Sequence, residues 1–177
     1  MKKRSTKLIF GLFALVVCLA VGFATVSSVT PTATGSAAMK DSNLNVVFDG
    51  TPVCSDTTND SASIDSTDKL KATFSVTNLA AVGDTRTVTY TVKNNEVDLA
   101  AKIYVATAAT DITNTKSDYF EVTTDCTGSS NAKTIAKNGA TTTVVITVKL
   151  IKVPTASADS SSTITVKFTA DPTQPTD

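Results

Sequence analysis

The sequence predicts an all-β protein: a single antiparallel β-sandwich set behind an amino-terminal signal segment. Three observations carry that expectation. Beyond residue 38 the apolar residues recur with period two, alternating with threonine, serine and lysine, which is the pattern of strands with one buried face. Valine and threonine dominate these runs, and their branched β-carbons favour extended backbone. Past the signal, no stretch shows the apolar spacing of an amphipathic helix.

The chain has 177 residues with 16 basic and 16 acidic side chains, distributed unevenly. Lys2, Lys3, Arg4 and Lys7 precede an apolar run from Leu8 to Ala24, the order of a secretory signal. Cleavage is expected after Ala38, where Ser36 and Ala38 supply small residues at the −3 and −1 positions, or after Ala24, which follows Gly22. At 17 residues the run also sits at the lower edge of a membrane span, so retention as an anchor is the alternative. Cys18 lies inside this apolar run. Val17 precedes it and Leu19 follows, which does not suit a lipid-modified cysteine. Residues 1–38 are therefore read as signal, 39–170 as the sandwich, and 171–177 ("DPTQPTD") as a disordered tail with two prolines and no apolar anchor.

Seven strands are predicted in order. Leu44–Phe48 is short and apolar. Leu70, Ala72, Phe74 and Val76 alternate with Lys69, Lys71, Thr73 and Ser75. Val88, Tyr90 and Val92 alternate with Thr87, Thr89, Thr91 and Lys93, between a Gly83-Asp84 turn and a Lys-Asn-Asn stop. Leu99–Thr107 and Tyr119–Thr123 are weaker runs. Val144, Ile146, Val148 and Leu150 form one face of the next, and Ile164, Val166 and Phe168 one face of the last. The predicted core is Phe74, Val88, Tyr90, Val92, Val144, Ile146, Val148, Val166 and Phe168. Gly83–Lys93 also echoes Gly139–Lys149 at an offset of 56, as one turn-and-strand device used twice. Between Cys54 and Leu70 the polar stretch "SDTTNDSASIDSTDK" reads as an exposed loop. Its Asp56, Asp60, Asp65 and Asp68 lack the Asp-x-Asp-x-Asp-Gly spacing that wraps calcium.

Cys54 and Cys126 are the only cysteines beyond the signal. In an exported chain such a pair suggests one disulfide; two buried free thiols are the alternative. Histidine and tryptophan are both absent. The chain thus lacks the commonest general base and zinc ligand and the best stacking surface for sugars and bases. From Met39 onward 12 basic residues face 16 acidic ones, a balance that repels phosphate backbones. No nucleophile elbow, phosphate loop or metal motif appears. The sequence gives no reason to expect an enzyme, a cofactor, a metal site or a nucleic-acid partner.

The export signal, the early strand "NLNVVF" and the stretch "TNLAAVGDTRTVTYTVKNN" followed by "LAAKIYV" resemble the TasA/camelysin family of exported biofilm-matrix fibre proteins. The resemblance rests on Asn78-Leu79, Gly83-Asp84, the alternating strand and Val92–Asn94, and covers about half of the expected mature chain. The aromatic motif near that family's cleavage site is missing here, with "VGFATVSSV" in its place, and Cys54 and Cys126 are additional. What the resemblance implies is a sandwich of jelly-roll or immunoglobulin-like type, a secreted structural subunit that polymerises in the extracellular matrix or on the cell surface, with itself or other matrix subunits as partner. A metalloprotease activity associated with that family does not carry over to a chain without histidine.

The residues also suggest a means of assembly. Asn43, Leu44, Asn45, Val46, Val47 and Phe48 form a short apolar segment near the expected mature end. They are expected to act as a donor strand that completes the sheet of a neighbour, with Gly83–Asn94 or Thr141–Leu150 as the accepting edge. A monomeric adhesion or carbohydrate-binding module is the competing expectation. It would need exposed rings, and Tyr104 and Tyr119 are the candidates.

Overall fold

All seven predicted strands form, and most of their apolar positions turn inward, with Leu99 among the exceptions. A computed structural model describes residues 31–39 and 44–173. The strands are β1 (Thr32–Met39), β2 (Val46–Cys54), β3 (Ser61–Ile64), β4 (Lys71–Thr77), β5 (Thr85–Asn94), β6 (Ala100–Tyr104), β7 (Ile112–Asn114), β8 (Phe120–Thr124), β9 (Lys133–Ile135), β10 (Thr141–Leu150) and β11 (Ser161–Thr173). One helical turn, Ala108–Asp111, and two short 3₁₀ turns complete the described residues. The protein is all-β.

Two sheets pack face to face. The larger runs β3-β4-β1-β11-β6-β9, with β7 also pairing to β11, and the smaller runs β2-β5-β10-β8. All nine predicted core residues are buried in one cluster between them. Phe48 of the smaller sheet meets Phe168 of the larger edge-on at 6.1 Å, and Tyr90 lies 5.3 Å from Phe48. Three rings thus fill the centre, each contributing about 1.5–3 kcal/mol by leaving water.

The sequence echo has a structural meaning. β5 and β10 are the two inner strands of the smaller sheet and pair antiparallel, Thr85 with Lys149 and Lys93 with Thr141. Each glycine turn caps the far end of the other strand. Gly83 N–H donates to Leu150 at 2.8 Å, and Gly139 N–H donates to Asn94 at 2.8 Å. Both glycines sit at positive φ, 97° and 77°, where a side chain would be strained.

Several expectations change. The sandwich is mixed rather than wholly antiparallel, because β1 lies between β4 and β11 and runs parallel to β11. The sheets begin at Thr32 and not Met39, so cleavage after Ala38 falls inside a central strand. The position after Ala24 is outside the described residues. The 55–69 segment is not all loop, since Ser61–Ile64 pairs with β4 as β3. Asp171–Thr173, assigned to the tail, continue β11 and pair with β6, Pro172 opposite Ala101. Residues 174–177 lie outside the described residues.

Candidate assembly site

The strand expected to be donated is held by its own chain. Val46, Val47 and Phe48 pair with Asn94, Lys93 and Val92 of β5. Leu44, Val46 and Phe48 are buried in the core. Asn45 N–H donates to Glu96 Oε1 at 2.9 Å, and its carbonyl accepts from Asn95 at 2.8 Å. Asn43 is outside the described residues. The expected acceptors are not edges either: β5 lies between β2 and β10, and β10 between β5 and β8. An internal strand has no free row of backbone groups to offer. The outer edges of this sheet are β2 and β8, and β2 is blunted by Gly50, Pro52 and a register shift between Asp49 and Val53.

Strand β1 has the character that sequence reading gave to 43–48. It is the first strand of the described residues, it fills the middle of a sheet, and its inward side chains are small up to Met39. Ala33 and Ala37 are fully buried and Met39 nearly so. Thr34 and Ser36 face outward, with Ser36 between Thr73 and Thr165. Its ladder with β11 runs from Thr32 opposite Ser161 to Met39 opposite Phe168, and its ladder with β4 from Thr32 opposite Thr77 to Ala38 opposite Lys71. After Met39 the next described residue is Leu44, already in the smaller sheet's layer. The signal in the sequence was the alternation of small residues in "TATGSAAM", which reads equally as a cleavage site.

Gly35 is the tightest point of this seat. It is opposite Phe74 in β4 and Ile164 in β11. A Cβ at Gly35 would lie 2.5 Å from Phe74 Cζ and 2.6 Å from the Ile164 carbonyl oxygen, inside any contact that real carbon atoms make. Among the described glycines the other four have positive φ and Gly35 does not. Its lack of a side chain serves close approach.

Cys54 and Cys126 are free thiols, and the expected disulfide is not formed. Cys54, Val88, Ile146 and Thr124 stand in one row across the smaller sheet. Cys54 on one edge strand and Thr124 on the other are thus three strand spacings apart, about 14 Å, and Cys126 lies in the turn beyond Thr124, its carbonyl accepting from Val105 N–H at 2.9 Å. A disulfide needs Cα atoms within about 7 Å. Burial raises the pKa of both thiols, that of Cys126 to about 11, which disfavours the reactive thiolate.

The loop aspartates are engaged in turns. Asp56 accepts from Thr58 and Asn59, and Asp65 from Thr67 and Asp68, which lowers the pKa of both. Asp68 pairs with Lys71 at 3.0 Å. Asp60 is buried and accepts from Thr77 N–H at 3.0 Å, a tie the sequence did not suggest. Among the described residues no group of three or more His, Cys, Asp and Glu side chains is placed to hold a metal ion. Asn94, read as a strand stop, is fully buried and stitches a pole together through Leu99, Ala136 and Glu96.

The two tyrosines do not make one platform. Tyr104 stands beside Thr169 and donates to Asp171 at 2.5 Å, while Tyr119 donates to Asp159 at 3.1 Å with Lys152 over its ring. These places are at opposite ends of β11. Comparison with known proteins gives no match to any family model, to any curated protein or to any solved structure.

Proposed function

We propose that this chain is a secreted structural subunit of a biofilm-matrix or cell-surface fibre, with a jelly-roll or immunoglobulin-like sandwich that polymerises by exchanging its amino-terminal strand. The donor is reassigned from 43–48 to β1. The observation that carries this reading is the placement of β1: the first strand of the described residues, with Ala33, Gly35 and Ala37 on its inward face, seated between β4 and β11. The same seat filled by β1 of a second copy gives a head-to-tail contact, which does not close on itself and so builds a filament. Cleavage after Ala24 keeps the donor on the mature chain; cleavage after Ala38 removes it. The role is structural, the partner is another copy or another matrix subunit, and no cofactor is involved.

A reversible lock tests this. Thr34 and Thr163 are opposite each other on the outward face of the parallel ladder, at the strand spacing of about 4.8 Å that suits a disulfide. The Thr34→Cys/Thr163→Cys chain, made in a Cys54→Ser/Cys126→Ser background, is expected to stay monomeric when oxidised and to form fibres in negative stain when reduced. Fibres from the oxidised, fully locked chain would remove strand exchange. Absence of fibres from the unmodified mature protein after days at high concentration would remove the fibre itself.

A further inference from the structure

We propose that the seat between β4 and β11 reads its strand at one residue: the ring of Phe74 and the carbonyl of Ile164 admit only glycine, so a strand enters in a single register with Gly35 beneath that ring. This rests on the fibre reading only for the source of the strand, since the seat exists within one chain.

The backbone alone does not fix the register. Hydrogen bonds in a parallel ladder are evenly spaced, so a strand displaced by two residues finds the same donors and acceptors. A displacement by one turns Thr34, Ser36 and Ala38 inward, and burying two hydroxyls in an apolar core is disfavoured. A displacement by two keeps the same face inward, with Met39 moved into the Ala37 seat in one direction, but brings Ala33 or Ala37 under Phe74. Their Cβ atoms then take the position that lies 2.5 Å from Phe74 Cζ and 2.6 Å from the Ile164 oxygen. The ring can turn aside, but the carbonyl belongs to the central strand of the sheet and cannot. Ala33 and Ala37 on either side of Gly35 are fully buried small residues that fit the seat without deciding its register.

Within one chain the short link to β2 also restrains the register. For a strand arriving from elsewhere the glycine acts alone. The ligand class is therefore an extended segment with inward residues in the order Ala, Gly, Ala, Met, parallel to β11. The chain's own example is β1 of a second copy.

The test uses the full chain carrying Gly35→Val, whose own β1 is rejected, and fluorescent peptides spanning residues 31–39. The native peptide and a Ser36→Val peptide, altered on the outward face, are expected to bind with similar affinity. A Gly35→Val peptide is expected to bind at least about tenfold more weakly, consistent with the cost of overpacking a core. If the variant chain does not fold alone, native peptide added during refolding is expected to restore the β circular-dichroism signal, and the Gly35→Val peptide is not. Equal binding or equal rescue by the native and Gly35→Val peptides would overturn the inference, as would no binding and no rescue by the native peptide. Fibre formation by the unmodified protein is scored separately. Selective peptide binding without fibres removes the fibre reading and keeps the seat; fibres with unselective peptide binding do the reverse.

Discussion

The phenol of Tyr90, on β5 of the smaller sheet, crosses the core and donates to the carbonyl oxygen of Thr73 on β4 of the larger sheet at 3.0 Å. It is a polar tie between the two layers, made in surroundings otherwise filled by aliphatic and aromatic groups. Tyr90→Phe keeps the ring and removes the bond, so it is expected to cost about 0.5–1.5 kcal/mol in denaturant unfolding at neutral pH. Burial, with a smaller contribution from Cys54, raises the phenol pKa well above its ordinary value. A raised pKa means the folded protein holds the proton more tightly. The contribution is thus complete below about pH 10 and declines as pH rises beyond it. The gap between the two proteins is expected to narrow above pH 10; a gap that widens there would contradict the assignment.

The two thiols give a direct chemical check. Mass spectrometry of unreduced, denatured protein is expected to show Cys54 and Cys126 each alkylated. In the folded state Cys126, with no exposed surface, is expected to react far more slowly than the half-buried Cys54. Reductant should leave the unfolding midpoint unchanged. An intramolecular bond between them would require the smaller sheet to be assembled differently.

Alternation along the inner strands sets a contrast within single strands. Phe74→Ala and Ile146→Ala remove large side chains from the buried cluster and are each expected to cost about 2–5 kcal/mol. Thr89→Ala and Thr147→Ala, on the outward face of β5 and β10, are expected to change stability by less than about 0.5 kcal/mol. Chemical denaturation of the four variants would expose any error in face assignment.

The Asp60 side chain is fully buried, with Oδ1 on Thr77 and Oδ2 3.7 Å from Arg86 Nε. Desolvation outweighs the Thr77 bond and the Arg86 charge and raises its pKa. For a raised acid the stabilising share is present below the ordinary carboxylate pKa and is lost as pH climbs through the raised value. Asp60→Asn retains an oxygen for Thr77 and removes the charge. It is expected to match or exceed the wild type at pH 7, the two converging near pH 4. Asp60→Ala leaves the Thr77 N–H unpaired and is expected to cost about 1–3 kcal/mol. Equal losses in both variants would show that the charge itself is needed.

The inner strands were legible because each carries three or four large apolar residues at every second position, as in "TVTYTVKN" and, with Val145 added on the outward face, "TTTVVITVKL". The strands that escaped are of two kinds. β7 and β9 are three residues long and too short for a period to register. β1 and β3 turn mostly alanine and glycine inward, with one methionine and one isoleucine at their ends, so their inward faces look like small-residue linker. Strand order was not legible at all, since alternation reports a buried face and says nothing of which strand is an edge. That is why β5 and β10, the most regular runs, resemble acceptors in the sequence when their regularity reflects pairing on both sides. The disulfide was misjudged for a related reason: sequence shows that two cysteines exist, and only the order β2-β5-β10-β8 places one on an edge strand and the other in the turn beyond the opposite edge strand.

The parallel ladder between β1 and β11 also fixes how the chain carries load. β1 enters at Thr32 beside Ser161, and β11 leaves at Thr173 beyond the opposite end of that ladder. Tension between these two ends pulls the strands past each other along their length, so the bonds of an eight-residue strand resist together in shear. Pulled from the loop at either pole of a hairpin such as β3-β4, the bonds would instead break singly and in succession, like a zipper. Forced-unfolding rates should therefore depend on the direction of pull, slowest along the axis joining Thr32 to Thr173. Were β1 supplied by a neighbouring subunit, that same sheared ladder would set the tensile strength of the thread.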